Sequence, residues 1–336
     1  MNTRSGVHLG IDLGGTKTAM GLVNNRGTIY ARTAFPSGGM DFDNYYLRLE
    51  KAITSFLEEQ QLEPLALESI GIGCAGQIEL ESGLIHHAPN LSWNEAPLGS
   101  RLRKSFPTVR VTVDNDVRAA TLGEYLFGLE KRPTIYLNVF LGTGIGSGII
   151  IHERILRGSS NSAGEIGLTS INFTGPRASC GNYGIYEYYA SGTALERMAR
   201  DEIQEELRND KIHDPNSFAY HFGSPEFVRG SEISRLAETG HLKARNLIES
   251  IGALIGYGLA NAVNFLNPDT ITYGGGLSDV GPLLLDSMRK NLLERALISA
   301  TKKLDLRQVS LGNDAGIIGS AWLHLVDPEG KIGSLS

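Results

Sequence analysis

The feature that most constrains this chain is a glycine loop close to its N-terminus, Asp12-Leu-Gly-Gly-Thr-Lys17. The loop follows the apolar run Val7-His-Leu-Gly-Ile11, which has the composition of a buried strand. Its two glycines can adopt positive φ, so backbone N–H groups can close on an anion. The acidic residue before them can hold a metal ion that accompanies the anion. The segment therefore predicts a strand that ends in an anion-binding turn.

A second unit of the same kind occurs in the middle of the chain. The apolar run Leu137–Leu141 leads into Gly142-Thr-Gly-Ile-Gly-Ser-Gly148, and a further apolar run follows. A third glycine run, Gly274–Gly276, follows the strand predicted at Asp269–Tyr273. Two α/β halves, each beginning with a glycine turn between antiparallel strands, predict a duplicated α/β fold around a cleft.

Two familiar nucleotide motifs do not account for these loops. A Walker A loop needs adjacent glycine and lysine, but Thr16 separates Gly15 from Lys17. A dinucleotide fingerprint would need glycine where the chain has Ser147. One such loop is weak evidence, because a hairpin also uses glycine in its turn. Three loops in this order are stronger evidence for a phosphate-binding protein.

Composition excludes several classes of function. The 336 residues, 41% of them hydrophobic, are enough for two domains with a large core. The net charge of −6 does not indicate a basic surface that would bind nucleic acid or an acidic membrane. The two cysteines, Cys74 and Cys180, are far apart in sequence, which argues against a disulfide framework. We therefore expect a cytoplasmic protein with neither nucleic-acid nor membrane partners.

With these motifs in this order, the chain resembles the ROK family (repressors, open reading frames and kinases) of the actin-like ATPase superfamily. The resemblance extends over about residues 7 to 323. The matching segments are Asp12–Lys17 for the first phosphate loop, Leu141–Gly148 for the second, Asn267–Gly276 for the adenosine segment and Gly312–Ala321 for the closing helix.

The resemblance implies an α/β fold of two ribonuclease-H-like domains that flank a central cleft. The small domain is expected at residues 1–118, with the first phosphate loop, sugar contacts and the catalytic aspartate, and the C-terminal helix at 315–330 joins it. The large domain is expected at residues 119–314, with the second phosphate loop and the adenosine segment.

The resemblance also implies the cofactors ATP and Mg²⁺. Asp12 would hold the Mg²⁺ ion through water, because Mg²⁺ gives up its hydration reluctantly. The implied nucleotide contacts are Gly14, Gly15, Thr16 and Lys17 from the first loop, Thr143, Gly144 and Gly146 from the second, and Gly275 and Gly276 along the adenosine.

The segment Asp114-Asn-Asp116 lies between a predicted strand and a predicted helix. The simplest interpretation is a helix N-cap, which explains one acidic residue but not the trio. The family resemblance instead makes Asp116 the general base beside the attacking sugar hydroxyl, worth about 10²–10⁴-fold in rate. Asn115 would then bind a neighbouring hydroxyl.

The other sugar ligands implied by the resemblance are Gly76, Asn90, Glu165 and Glu187. Asn90 has an alternative interpretation as a turn residue after Pro89. The two glutamates, taken in isolation, would be solvated surface groups. Their places in the family motifs are the reason for including them.

The chain departs from the family pattern at the family's zinc site, which uses one histidine and three cysteines. The corresponding residues here are Leu168, Ala178, Cys180 and Ile185. Structural zinc takes four cysteine or histidine ligands, so we predict no zinc here and expect the three apolar replacements to pack together. Leu168 also cannot donate the hydrogen bond that the family histidine gives to the sugar.

The function implied is ATP-dependent phosphorylation of a hexose or amino sugar, with glucose at O6 as the leading hypothesis. The alternatives are a kinase for N-acetylmannosamine, N-acetylglucosamine, fructose or allose, or a catalytically impaired sugar-binding protein. A sugar-responsive repressor is disfavoured, because such repressors carry a DNA-binding domain before the first loop and only six residues precede Val7. A homodimer is expected from the relatives.

Overall fold

The computed structural model describes residues 6–335. Their contacts form two compact units. The first unit contains the described residues up to Thr134, together with Gly148–Gly164 and the described residues from Val309 onward. The second contains Ile135–Ser147 and Glu165–Gln308. The domain bounds predicted from the sequence, 1–118 and 119–314, remain a prediction, because a division by contacts does not test them.

The strands in the described residues are β1 (Val7–Leu13), β2 (Lys17–Asn24), β3 (Ile29–Pro36), β4 (Leu67–Cys74), β5 (Gln77–Glu79), β6 (Leu84–Ala88), β7 (Trp93–Ala96), β8 (Arg110–Asn115), β9 (Ile135–Leu141), β10 (Ile145–Ile151), β11 (Arg154–Ile155), β12 (Thr270–Gly274) and β13 (Asp305–Gln308).

The α-helices are α1 (Phe42–Glu59), α2 (Leu98–Ser105), α3 (Asp116–Gly123), α4 (Tyr186–Ala190), α5 (Gly192–Arg208), α6 (Phe218–Phe222), α7 (Gly230–Glu238), α8 (Leu242–Leu266), α9 (Pro282–Arg295), α10 (Ile298–Thr301) and α11 (Ala315–Ala321). A π-helical turn at Glu124–Gly128 follows α3. Within residues 6–335, none of these helices is both long and apolar enough to cross a membrane.

Two five-stranded sheets share one topology. The first has the order β3-β2-β1-β4-β8, in which β1, β2 and β3 are antiparallel and β1, β4 and β8 are parallel. The second has the order β11-β10-β9-β12-β13, with parallel pairing of β9, β12 and β13. The duplicated α/β fold predicted from the glycine loops is therefore confirmed. A small third sheet, β5-β6-β7, accompanies the first.

Burial along the strands explains the order of the first sheet. The interior strand β4 is buried from Ser69 to Cys74, as expected for a parallel strand covered on both faces. The edge strand β3 alternates between half-buried and exposed residues. Helix α1 begins after the N-cap Asp41, whose side chain accepts a hydrogen bond from Asn44, and packs its apolar residues into the same core.

Helix α11 lies directly on the backbone of the first sheet. A Cβ added at Gly10 of β1 would lie 1.9 Å from the Ile317 carbonyl oxygen, and one added at Gly71 of β4 would lie 1.7 Å from that of Ser320. On its other side, a Cβ at Gly319 would lie 1.7 Å from the Ala119 oxygen in α3. These contacts are the physical reason why α3 and the C-terminal segment belong to the first unit.

Because β4 and α11 touch through their backbones, we expect a methyl group added at Gly71 to reduce stability strongly. We expect Gly71→Ala to lower the free energy of unfolding by about 3 kcal/mol, because the strand and the helix must move apart. The control is Gly39→Ala, whose Cβ meets no atom within 4 Å and costs about 1 kcal/mol for its positive φ. Urea denaturation measures both variants, and equal losses would contradict this packing.

Candidate functional site

The carboxyl ends of β1, β4 and β8 meet at one edge of the first sheet. Asp12 lies opposite Gly73 in the β1–β4 pair, and Gly73 lies opposite Asp114 in the β4–β8 pair. Asp116 follows immediately after β8, and a Cβ added at Gly73, the residue opposite Asp12, would lie 3.1 Å from the Asp116 Cα. Strand register alone therefore brings together two acidic residues that are about a hundred positions apart in sequence.

The N-cap of α3 is Asn115, not an aspartate. Its side-chain oxygen accepts hydrogen bonds from the N–H groups of Val117 at 3.0 Å and Arg118 at 3.2 Å. Its amide group also donates to the Gly76 oxygen at 3.5 Å. Asp116 is the first helical residue, and one oxygen of its half-buried carboxylate accepts a hydrogen bond from the Val117 N–H at 2.9 Å. Asn115 already caps this N–H group, so the cap does not depend on Asp116.

Burial disfavours ionisation of both acidic groups, and like charge adds to this effect at Asp12. Burial raises the pKa of Asp116, while the Val117 N–H and the Arg118 charge oppose the increase. Burial, followed by repulsion from Asp116, raises the pKa of Asp12 to about 6, against a smaller opposing effect of Lys17. Paired carboxylates of this kind are common at sites that bind a cation or move a proton.

The predicted first phosphate loop is a tight hairpin turn that packs against the segment containing Asn90. The Gly14 N–H donates to the Lys17 oxygen at 3.1 Å, and Thr16 and Lys17 are exposed. A Cβ at Gly15 would lie 2.8 Å from the Asn90 Cβ. The expected positive φ is wrong for both Gly14 and Gly15, because neither residue has it. At Gly15 the close approach of Asn90, not φ, requires glycine.

In the second unit, the predicted second phosphate loop is supported by Glu187. The Ile145 N–H donates to the Glu187 carboxylate at 2.8 Å, and a Cβ at Gly144 would lie 2.2 Å from the same carboxylate oxygen. Thr143 is exposed at the tip of the turn, which a Gly142 N–H bond to the Gly144 oxygen closes at 2.9 Å.

The remaining residues predicted in this unit lie in different settings. Gly146 lies inside β10, because the strand begins at Ile145. Glu165 is exposed, just before a short turn at Ile166–Leu168. Gly275 has a φ of +92° and a backbone packed against Leu141, and the exposed Gly276 has open space beside it.

A cavity of about 840 Å³ lies within the second unit beside these glycines. Its size is in the range of small-molecule and nucleotide sites. Helix α7 lines it with polar residues and buries Ile233 and Ala237 on its other face. This amphipathic pattern is the sequence signal for the helix, but it does not indicate a cavity. The lining includes Gly142, Thr143, Arg235, Glu238, Gly276 and Asp279.

The loop that corresponds to the family zinc site is closed by hydrogen bonds. Ile185 is buried and Cys180 is exposed, whereas Leu168 and Ala178 are half-buried. The Asn182 amide donates to the Leu168 oxygen at 2.9 Å. In the part of the chain that the structure describes, no three histidine, cysteine or acidic residues are grouped to hold a metal ion. The lack of structural zinc stays a prediction.

Comparison with known proteins gives the family. The model of the ROK family matches residues 8–326. The chain belongs to the ROK family. A glucokinase from Halalkalibacterium halodurans is 31% identical over 318 residues, which are 94% of each chain. A xylose repressor from Caldicellulosiruptor bescii is also 31% identical, over 97% of this chain and 80% of the repressor.

Among solved structures, a ROK family glucokinase from Streptomyces griseus, in complex with glucose and AMPPNP, is similar to this ROK protein. Its TM-score is 0.77 at 30% identity, over 94% of this chain and 98% of that chain. These comparisons confirm the predicted actin-like ATPase fold. They also confirm the predicted class of protein, an ATP-dependent sugar kinase of the ROK family.

Because Asp12 is buried and repelled by Asp116, we expect its ionised form to lower the stability of the fold in a pH-dependent way. A folded-state pKa of about 6, above the ordinary 3.8, means that stability is lost as the pH rises between these values. We expect Asp12→Asn to raise the free energy of unfolding by about 1–2 kcal/mol at pH 8 and by less at pH 5.

Urea denaturation at the two pH values measures this effect. The control is Asp286→Asn on α9, an exposed residue, for which we expect no pH-dependent gain. A gain for Asp12→Asn that is the same at pH 5 and pH 8 would contradict the raised pKa.

Proposed function

We propose that this ROK protein transfers the γ-phosphoryl group of ATP to a hydroxyl group of a hexose or amino sugar, with glucose O6 as the leading acceptor. The observation that carries the proposal is the pair Asp12 and Asp116 at one sheet edge, next to the amide of Asn115. The glucokinase relatives and the glucose complex of the Streptomyces griseus enzyme support glucose as the first sugar to test.

The sugar-binding groups that we propose in the first unit are those at the sheet edge. Asp116 is the proposed general base, because Asn115 supplies the helix cap and because burial raises the pKa of the Asp116 carboxyl, which makes the carboxylate a better proton acceptor. Asn115, the Gly76 backbone and Asn90 are the proposed hydroxyl ligands. Glu165 and Glu187 of the second unit are proposed as further sugar ligands, although Glu187 already accepts a hydrogen bond from Ile145.

The groups at the sheet edge and in the glycine loops fit Mg²⁺ and a nucleotide. Asp12 is disfavoured as an isolated anion, and a bound cation would relieve this cost. Mg²⁺ prefers carboxylate and water ligands, and when bound it supplies charge neutralisation for the phosphates. We propose that Asp12 holds the Mg²⁺ ion through water. Lys17 is exposed and adds a positive charge for an anionic ligand.

The nucleotide contacts that we propose in the second unit lie beside its cavity. Backbone N–H groups of tight turns bind phosphate oxygens, and Gly275 and Gly276 leave space for the adenosine beside the cavity. The proposed contacts to ATP are Gly14, Gly15, Thr16, Lys17, Thr143, Gly144, Gly146, Gly275 and Gly276.

A second candidate function is sugar binding without efficient catalysis. Leu168 favours it, because a leucine cannot pair with a sugar hydroxyl and an unpaired buried hydroxyl costs about 1–3 kcal/mol. N-acetylmannosamine, N-acetylglucosamine, fructose and allose are the other sugars to be tested.

A cytoplasmic location and a homodimeric state remain predictions.

The experiment that separates these functions measures ADP release with MgATP and a panel of hexoses and amino sugars. The proposal expects sugar-dependent ADP release and a sugar phosphate as product. Sugar binding by calorimetry without any ADP release would instead support the second candidate.

The proposed base gives a specific prediction for Asp116→Asn. We expect kcat to fall by about 10²–10⁴-fold, because the isosteric amide cannot accept the proton. The dissociation constant of the sugar should change by less than about threefold, since an amide can still hydrogen-bond to a hydroxyl. The exposed Asp286→Asn serves as the control with wild-type kcat. An Asp116→Asn enzyme that turns over at nearly the wild-type rate would refute this assignment.

A further inference from the structure

A buried ion-pair network lies beneath the sheet edge of the first unit. The side chains of Asp114, Arg118 and Arg157 are 0%, 5% and 8% exposed. The Asp114 carboxylate accepts hydrogen bonds from Arg118 at 3.1 Å and from Arg157 at 2.5 Å. It also accepts from the backbone N–H of Asn115 at 2.8 Å. One carboxylate thus fixes two cations and the residue that caps α3.

Asn161 completes this network and extends it to the small sheet. Its side-chain oxygen accepts from Arg118 at 3.0 Å and from Arg157 at 3.3 Å. Its backbone oxygen accepts a further bond from Arg118. Its amide group donates to the Ile78 oxygen of β5 at 2.9 Å. Asn161 has a φ of +56°, a left-handed conformation that asparagine tolerates better than most residues.

The network of Asp114, Arg118, Arg157 and Asn161, called here the Asp114 network, joins three segments that are distant in sequence. One is the β8–α3 junction that carries Asn115 and Asp116. Another is β5, which begins immediately after Gly76. The third is the segment 157–164, which precedes Glu165 in the chain. All three carry or adjoin a proposed sugar ligand.

Stability alone is a weak explanation for such a network. Removing three charges from water costs more than their attraction returns in many buried pairs, and apolar replacements of similar size are often neutral or stabilising. The geometry gives a different explanation. Each member has fixed bonds to two or more partners, so the network holds backbone positions that apolar packing would leave adjustable.

We propose that the Asp114 network is a positioning device for the sugar site, with Asn161 as its key positioning residue. It holds the β8–α3 junction and the start of β5 in the geometry that binds sugar before the sugar arrives. Asn161 acts in this proposal through the groups that it holds and is not itself proposed as a sugar ligand. The inference rests on the proposed function, because the ligands that it positions are the proposed sugar ligands.

The test variant is Asn161→Gly, which removes every side-chain bond and still allows the left-handed backbone. We expect KM and the calorimetric Kd for the best sugar to rise about tenfold, because small displacements of binding groups are costly. KM for ATP should change less than about twofold, since none of the proposed ATP contacts belongs to the three segments that the network joins.

Two further variants make the test specific. Asn161→Asp keeps both acceptors for the arginines and loses only the donor to Ile78, so we expect a rise in sugar KM of about threefold. Gln61→Gly is the matched control, because Gln61 is an exposed amide with a φ of +54° outside the network. It should leave both KM values unchanged. Circular dichroism and thermal melting establish that each variant is folded.

The outcomes distinguish this inference from the proposed function. Wild-type protein that phosphorylates a sugar, with Asn161 variants that bind this sugar equally well, overturns the positioning role and leaves the function intact. Equal increases in KM for sugar and ATP also overturn it, because they indicate general destabilisation. Wild-type protein that neither binds nor phosphorylates any sugar of the panel overturns both proposals. If the glycine variant does not fold, the Asn161→Asp result decides.

Discussion

The parallel pairing of β4 with β1 and β8 is the constraint on which the candidate site depends. Because these strands end at one edge, Asp12, Gly76 and Asp116 are brought together from three separate parts of the chain. The same alignment makes the edge electrostatically unfavourable, since burial raises the pKa of both carboxyl groups and repulsion from Asp116 adds to the increase at Asp12. The sheet thus places two groups of the proposed site together at a cost to stability.

Close backbone approaches hold this edge in place. Helix α11 packs on β1 and β4 without intervening side chains, because the strands carry Gly10 and Gly71 at the contact points. The first phosphate loop is fitted to Asn90 in the same way through Gly15. Beneath the edge, the Asp114 network fixes the junction from which α3 starts. The glycine contacts with α11 and the buried charges of the Asp114 network together restrict the position of the backbone that carries Asp116, the proposed catalytic aspartate.

The sequence predicted the duplicated fold because glycine turns and apolar runs are local patterns. The order and spacing of its motifs also indicated the family and the class of activity. The conformation of Gly15 was not predictable, since its partner Asn90 is 75 positions away. The contacts of Asn161 and the position of α7 beside a cavity were missed for a similar reason. An asparagine that joins distant segments, or the cavity-lining face of a helix, has no local signature until the chain is folded.

The central claim is that Asp116 accepts the proton of the sugar hydroxyl that attacks ATP. The most direct measurement is a crystal structure of this protein with MgAMPPNP and the sugar that it phosphorylates best. The account predicts one sugar hydroxyl about 2.6–3.2 Å from the Asp116 carboxylate, with Asn115 bound to a neighbouring hydroxyl. A bound sugar whose hydroxyls are all beyond hydrogen-bonding distance of Asp116 would contradict the account.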